Sequence, residues 1–112
     1  MEIKKEIKKD CYAVKITAEE NGVVLGRVFL YVIYNELHVE PYGLVEDVFV
    51  EEGARGKGLG TQLVKAVMAE AKERKCYKLI GTTRHSKKDV QEWYQRIGFT
   101  DFGKEFRMDL NK

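Results

Sequence analysis

Alternating apolar and polar positions in the first part of the chain predict an antiparallel sheet. From Tyr12 to Ala18 apolar residues recur at every second position, the period of a strand with one buried face. Asn21-Gly22 supplies the positive φ angles of a tight hairpin turn, and Val23 to Tyr34 is rich in β-branched and aromatic residues. We therefore expect a hairpin, with Gly26 marking a bulge in its second strand.

The next two elements are a strand that is apolar on both faces and an amphipathic helix. Leu44 to Val50 is predicted to be a central strand, because a strand that is apolar on both sides is normally covered on both sides. Apolar residues at four-residue spacing then predict a helix from about Leu59 to Lys75. Tyr77 to Thr82 follows as a short buried strand.

A second helix is indicated by a stripe with the spacing i, i+3, i+4 and i+7, formed by Val90, Trp93, Tyr94 and Ile97. Ser86 resembles its N-cap, and Gly98 stands where a C-cap glycine belongs. Phe99 to Phe102 and Phe106 to Leu110 read as two last strands. The predicted order is β-β-β-α-β-α-β-β, a mixed-sheet α/β sandwich with two main helices.

Composition narrows the class of protein. The 112 residues fit a single domain spanning 1–112, in which residues 1–10 are a frayed end or a short leading strand. A net charge of +2 gives no reason to expect nucleic acid as a partner. No apolar run approaches the ~20 residues of a membrane span, so we expect a cytoplasmic protein without a membrane partner. Cys11 and Cys76 show neither disulfide nor metal-ligand spacing, and no metal is expected.

A glycine-rich loop between the third strand and the first helix is the first candidate binding site in the sequence. Gly56, Gly58 and Gly60 let backbone N–H groups converge, and the helix that follows directs its positive dipole end to the same point. This construction suits a phosphate or pyrophosphate. The P-loop pattern fails because a glycine follows Lys57, and the dinucleotide fingerprint fails as well. The alternative is a surface loop with incidental charges.

Two motifs resemble those of GNAT-type N-acetyltransferases. Val48-x-Val50 followed by Arg55-x-x-Gly58-x-Gly60 is similar to the acyl-CoA-binding motif of that family, and Trp93-Tyr94 four residues before Gly98-Phe99 is similar to its second signature. The resemblance implies a mostly antiparallel sheet with a central splayed strand pair, and acetyl-CoA as cosubstrate without a metal. It also implies cofactor contacts from the main chain of Val48, Phe49, Val50, Arg55, Gly56, Lys57, Gly58, Leu59, Gly60 and Thr61.

The same resemblance implies two catalytic side chains. Tyr94 matches the position of the acid that protonates the leaving thiolate, and its alternative is a core tyrosine of the helical stripe. Glu46 is similar in placement to the glutamate that deprotonates the amine; desolvation in an apolar strand would raise its pKa. Its alternative is a structural carboxylate satisfied by Arg27, His38 or main-chain amides. Asp47 is expected on the opposite face of the strand, and we favour a structural role for it.

His38 and His85 are alternative bases from loops, and neither cysteine is expected to carry an acyl group. The expected reaction is direct transfer of acetyl to a primary amine in a ternary complex. The acceptor is left open. Glu46-Asp47-Val48 and Cys76-Tyr77-Lys78 resemble the glucosamine-6-phosphate N-acetyltransferase branch, but Asp109 stands where that branch has a substrate-phosphate arginine.

The first ten residues, seven of them charged, cannot build the strand and two helices with which the family usually opens. The acceptor side is therefore expected to be open or closed by a partner chain, and the sequence leaves a homodimer open. Two rival functions also remain: a non-catalytic acyl-CoA-binding module, and a small structural protein whose loop binds an anion.

Overall fold

The computed structural model of the protein describes residues 1–111. Its elements are β1 (Tyr12–Glu20), β2 (Val23–Ile33), β3 (Tyr42–Val50), a 3-10 turn (Glu52–Ala54), α1 (Leu59–Glu73), β4 (Leu79–Ile80) and α2 (Lys88–Arg96). The chain divides into two compact units, Met1–Ile80 and Gly81–Lys112. The first unit contains the sheet and α1, and the second contains α2. That residues 1–112 form one domain stays a prediction.

The sheet has the order β1-β2-β3-β4, with the first three strands antiparallel. Asn21 (φ 53°) and Gly22 (φ 80°) form the predicted hairpin turn. The pairing shifts where Ala18 opposes Gly26 and Glu19 opposes Val24, so the bulge lies next to Gly26 as expected.

The core lies between one face of the sheet and α1. Val28, Leu30 and Val32 of β2 are fully buried, and so are Val64 and Val67 of α1. Full burial of such a side chain contributes about 1.5–3 kcal/mol, so this layer holds the first unit together. The mixed α and β fold class predicted from the sequence is confirmed.

The parallel pair of β3 and β4 is short. Only Gly43 and Leu44 pair with Leu79 and Ile80, and β4 is therefore shorter than the predicted Tyr77–Thr82. From Val45 to Val50, β3 has no partner in β4. The two strands thus separate as β3 runs toward the glycine-rich loop, which is the splayed arrangement that the resemblance implied.

In the second unit, α2 begins one residue later than a Ser86 N-cap requires. Its N-cap is Lys87, which makes no side-chain capping bond. The N–H of Lys87 donates to the carbonyl of Arg84, and Gln91 Nε2 also donates to that carbonyl, so the residues before the helix form a turn instead. The prediction at Ser86 is therefore wrong.

The predicted end of α2 is confirmed. Gly98 has a φ of 117°, and the N–H of Phe99 donates to the carbonyl of Tyr94 at 2.9 Å. The N–H of Gly98 donates to the carbonyl of Gln95, which completes a Schellman cap.

The two last predicted strands, Phe99 to Phe102 and Phe106 to Leu110, are not formed. Residues 99–111 contain no helix or strand, and the side chains of Phe102 and Phe106 are exposed. Alternation yields a strand only where a neighbouring backbone offers a hydrogen-bonded ladder, and no such ladder pairs this segment among the described residues. Residues 1–11 likewise form no leading strand.

Candidate active site

A β-bulge in β3 is the central irregularity of the sheet. Phe29 pairs with Glu46 and Arg27 pairs with Phe49, so Asp47 and Val48 together face the single residue Val28. Asp47 has a φ of 58°, in the left-handed region that Asp tolerates better than most residues. The bulge interrupts the regular ladder at Asp47 and Val48. Sequence reasoning did not find it, because two-against-one pairing depends on the partner strand.

Asp47 is held at the bulge by an ion pair with Arg27. Arg27 Nε donates to Asp47 Oδ2 at 2.8 Å, and Nη2 approaches Oδ1 at 3.4 Å. This hydrogen bond lowers the pKa of the Asp47 carboxyl below its ordinary value. The Arg27 guanidinium also lies 4.7 Å from the ring centre of Phe49. Asp47 is therefore ionised at neutral pH, and its contacts support the structural reading.

Glu46 differs from its neighbour in lacking such a partner. Its side chain is exposed, and within residues 1–111 that side chain makes no hydrogen bond or ion pair. Arg27 bonds to Asp47 instead, and His38 packs on the ring of Tyr77 at 4.1 Å. The expectation of a desolvated Glu46 is thus wrong, because the sheet face on which it stands is open.

Glu46 and Asp47 line the same groove, so the expectation that they point to opposite faces is also wrong. Strict alternation requires an unbroken pleat, and the bulge at Asp47 interrupts it. Two carboxylates therefore stand together on the open face of the sheet, beside the ring of Phe29.

The glycine-rich loop is anchored to the end of β3. Arg55 Nε donates to the carbonyl of Val50 at 2.9 Å, and the N–H of Glu51 donates to the carbonyl of Leu25 at 2.8 Å. Gly56 (φ 82°) and Gly58 (φ 78°) adopt left-handed conformations that glycine favours. The loop conformation thus depends on these two glycines.

The loop ends in the N-terminus of α1, which is open to an anion. Gly58 is the N-cap and has no capping side chain, and the first turn contains no acidic residue. The first intrahelical donor is the N–H of Gln62, so the amides of Leu59 and Gly60 precede it. A Cβ at Gly56 or Gly58 would meet no atom within 4 Å. Free space, uncompensated helix dipole and nearby Lys57 fit a pyrophosphate.

The predicted cofactor residues therefore lie on one continuous segment of the first unit. Val48, Phe49 and Val50 form the half-buried end of β3, and the loop from Arg55 leads directly into Thr61 of α1. Gly60 belongs to the helix, where a Cβ would lie 3.9 Å from Val50 Cγ2. The conformational need for glycine is thus at Gly56 and Gly58 rather than at Gly60.

Tyr94 lies on α2, in the second unit. Its ring packs on Gly81, where an added Cβ would lie 2.7 Å from Tyr94 Cε1, and it meets the ring of Phe99 at a centroid distance of 5.0 Å. The ring centre of Trp93 lies 5.2 Å from that of Tyr94. Gly81 thus fixes where the ring of Tyr94 can lie, a relationship that sequence reasoning did not find.

The remaining candidate groups do not form a second centre. His38 and His85 are exposed loop residues. Burial raises the pKa of the Cys76 thiol, which keeps it protonated and a poor nucleophile. No cluster of three or more His, Cys, Asp or Glu side chains within residues 1–111 is arranged to hold a metal ion. Within residues 1–111, neither α1 nor α2 is long and apolar enough to cross a membrane.

Comparison with known proteins identifies the family of the chain. Residues 2–99 match the acetyltransferase (GNAT) family, and the chain belongs to that family. It is 39% identical over 61 residues to a probable glucosamine 6-phosphate N-acetyltransferase 2 of Oryza sativa subsp. japonica, covering 54% of this chain and 35% of that protein. It is 28% identical over 89 residues to an uncharacterized N-acetyltransferase of Bacillus subtilis, covering 80% of this chain and 60% of that protein. The chain spans about a third of the length of the first curated relatives that it matches.

Solved structures show the same fold. A putative acetyltransferase from Agrobacterium tumefaciens superposes with a TM-score of 0.81 at 26% identity, covering 87% of this chain and 68% of the other. An aminoglycoside N-acetyltransferase solved in complex with CoA superposes with a TM-score of 0.71 at 21% identity, covering 88% and 75%. The resemblance to the GNAT family is confirmed.

Proposed function

We propose that the protein transfers an acetyl group from acetyl-CoA to a primary amine, by direct attack in a ternary complex. The observation that carries the proposal is the continuity of bulged β3, the Arg55-anchored loop and the uncapped N-terminus of α1. Family membership and the CoA complex of a structural neighbour support the choice of cosubstrate. A cytoplasmic location stays a prediction.

Acetyl-CoA would be held by main-chain groups. The amides of the loop and of the first turn of α1 would bind its pyrophosphate, with Lys57 adding positive charge. The end of β3, which has no β4 partner from Val45 to Val50, offers backbone groups to the pantetheine amides. When bound, acetyl-CoA supplies the activated acyl carbon.

The bulge offers a donor for the charge that develops on the acyl oxygen. The main chain of Val48 lies where the regular pairing with β2 is interrupted, and the side-chain bond between Asp47 and Arg27 stands beside it. A donor fixed before the reaction stabilises this charge without reorganisation, typically worth about 10²–10³-fold in kcat for one donor. Val48 is the residue to which we assign this role.

Two side chains would move protons. Glu46, exposed and unpaired within residues 1–111, accepts a proton from the amine directly or through water. The neutral amine nitrogen would then bond to the acyl carbon as the carbon–sulfur bond breaks, and its surplus proton would pass to solvent. The Tyr94 hydroxyl would donate a proton to the departing thiolate and regain one from solvent. A phenol with a pKa of about 10 is protonated at neutral pH and can serve as this donor.

Steady-state kinetics test whether the acetyl group is transferred directly in a ternary complex or through an acyl-enzyme. With both substrates varied, a ternary complex gives intersecting double-reciprocal lines, whereas an acyl-enzyme gives parallel lines. Parallel lines, together with an acetylated protein in the mass spectrum, would overturn direct transfer. Acetyl-CoA binding without thiol release for any amine would favour a non-catalytic binding module.

A further inference from the structure

The open face of the sheet beside Glu46 carries a groove whose chemistry differs from that of a sugar-phosphate site. The groove has a volume of about 530 Å³ and is lined by Phe29, Tyr31, Ile33, Leu44, Glu46 and Asp47. Four of these side chains are apolar or aromatic, and the other two are carboxylates. Its volume lies within the range of small-ligand sites.

The strand register explains how the groove is built. Phe29 stands opposite Glu46, and Tyr31 stands opposite Leu44, so an apolar floor on β2 and β3 ends at a carboxylate. The rings of Phe29 and Tyr31 stack with their centres 6.0 Å apart. The opposite face of β2 is the one buried under α1, so these residues are not needed for the core.

The charges around the groove favour a cation. Glu46 is unpaired within residues 1–111, and among the described residues no Lys or Arg belongs to the lining. Arg27, two residues before Phe29 on β2, is bonded to Asp47. Lys15 flanks the groove with its Nζ 5.8 Å from the ring centre of Phe29. A phosphate would therefore meet the unpaired Glu46 and one flanking lysine, because the charges of Asp47 and Arg27 are paired with each other.

We infer that the acceptor is a primary amine with an apolar group, aromatic or branched aliphatic, that lies on Phe29, Tyr31 and Leu44 while its ammonium group faces Glu46. This inference rests on the proposed function and names its acceptor class. Burial of hydrocarbon on the floor provides affinity, and the carboxylate orients the amine. Acetylation converts the ammonium into a neutral amide, which removes its attraction to Glu46 and favours product release.

A pair of tyrosines on opposite faces of the sheet provides a matched test. Tyr31 is 39% exposed in the groove, and Tyr12 is 38% exposed on the other face, where its hydroxyl accepts a bond from Arg74. With phenethylamine as acceptor, Tyr31→Ser should lower kcat/KM about tenfold or more, whereas Tyr12→Ser should change it by less than about twofold. Melting temperatures establish that both variants are folded.

The wild-type protein should acetylate phenethylamine with a kcat/KM at least about tenfold above that for glucosamine 6-phosphate. Preference for glucosamine 6-phosphate, or an unchanged kcat/KM in Tyr31→Ser, would overturn the inference. NMR titration in the absence of acetyl-CoA separates it from the proposed function. If no amine is acetylated but phenethylamine still shifts the Phe29, Tyr31 and Leu44 amides, only the proposed function fails. Absence of these shifts overturns the inference itself.

Discussion

Arg27 Nε lies 2.8 Å from Asp47 Oδ2, and this bond joins β2 to the one left-handed residue within β3. The ion pair lies at the bulge, where the ladder between β2 and β3 is interrupted. It therefore stabilises the bulged backbone at Asp47, which regular strand pairing does not stabilise. The bulge is the basis of the proposed site, since it interrupts the ladder at Val48 and places Glu46 and Asp47 in one groove.

The first prediction concerns the pH dependence of stability. Because the Arg27 hydrogen bond lowers the pKa of Asp47 in the folded protein, its contribution is present above the unfolded pKa of about 3.9 and is lost as the pH falls through the lower folded value. Asp47→Asn retains a residue that tolerates positive φ and removes the charge. We expect its melting temperature to fall less than that of wild type between about pH 5 and pH 2.

Thermal melts of both proteins over that range check the first prediction. Asp101→Asn, which removes a carboxyl from an exposed residue outside the sheet, is the matched control and should follow wild type. Parallel curves for Asp47→Asn and wild type would show that the ion pair does not contribute to acid stability.

The second prediction concerns the cofactor loop. Gly58→Ala places a side chain at a φ of 78°, at a cost of about 1–2 kcal/mol, so the loop should rearrange and acetyl-CoA affinity should fall about tenfold or more. Gly53→Ala is the control in the same segment, because its Cβ meets open space and its φ is not in the left-handed region. Titration calorimetry measures both. Equal affinities would mean that the loop does not bind the cofactor.

The sequence predicted the elements whose signals are local. Asn21-Gly22 specified its turn, the apolar stripe specified α1, and Gly98 specified the end of α2, since each depends on a few neighbouring residues. The acyl-CoA motif also led to the correct family.

The features that sequence reasoning missed depend on distant partners. The bulge at Asp47 arises from pairing with β2, and the exposure of Glu46 depends on what covers that face. The two final strands were predicted from alternation alone, which does not supply the neighbouring strand that their backbone needs. The contact between Gly81 and Tyr94 could not be read from their separation along the chain.

The third prediction concerns the proposed base. Glu46→Gln removes the proton acceptor and keeps the shape of the side chain, so kcat/KM should fall most at pH values well below the pKa of the amine, about 10 for an alkyl amine. At high pH the free amine accumulates and the defect should shrink. Glu20→Gln, at the exposed end of β1, is the control. A profile with the shape of wild type would assign the role to solvent, His38 or His85.

The fourth prediction concerns the leaving group. Tyr94→Phe keeps the ring that packs on Gly81 and Phe99 but removes the hydroxyl, so kcat should fall about 10²–10⁴-fold with little change in acetyl-CoA affinity. Tyr77→Phe is the control for loss of a tyrosine hydroxyl. Activity within about threefold of wild type would mean that Tyr94 is a packing residue and not the acid.

Gly81→Ala tests the same assignment without removing the hydroxyl. The added Cβ would lie 2.7 Å from Tyr94 Cε1, so the ring must move. We expect a lower kcat at nearly unchanged acetyl-CoA affinity, because a displaced hydroxyl no longer meets the sulfur. An unchanged kcat in a folded Gly81→Ala protein would contradict a positioning role for this glycine.

The central claim is that this chain acetylates amines with acetyl-CoA. Mass spectrometry of a reaction containing the protein, acetyl-CoA and phenethylamine, with free thiol measured in parallel, tests it most directly. We predict an N-acetylated amine formed in equal amount to the released CoA, with both greatly reduced in Glu46→Gln at neutral pH. Tight acetyl-CoA binding with no N-acetylated product from phenethylamine or any other amine offered would contradict the account.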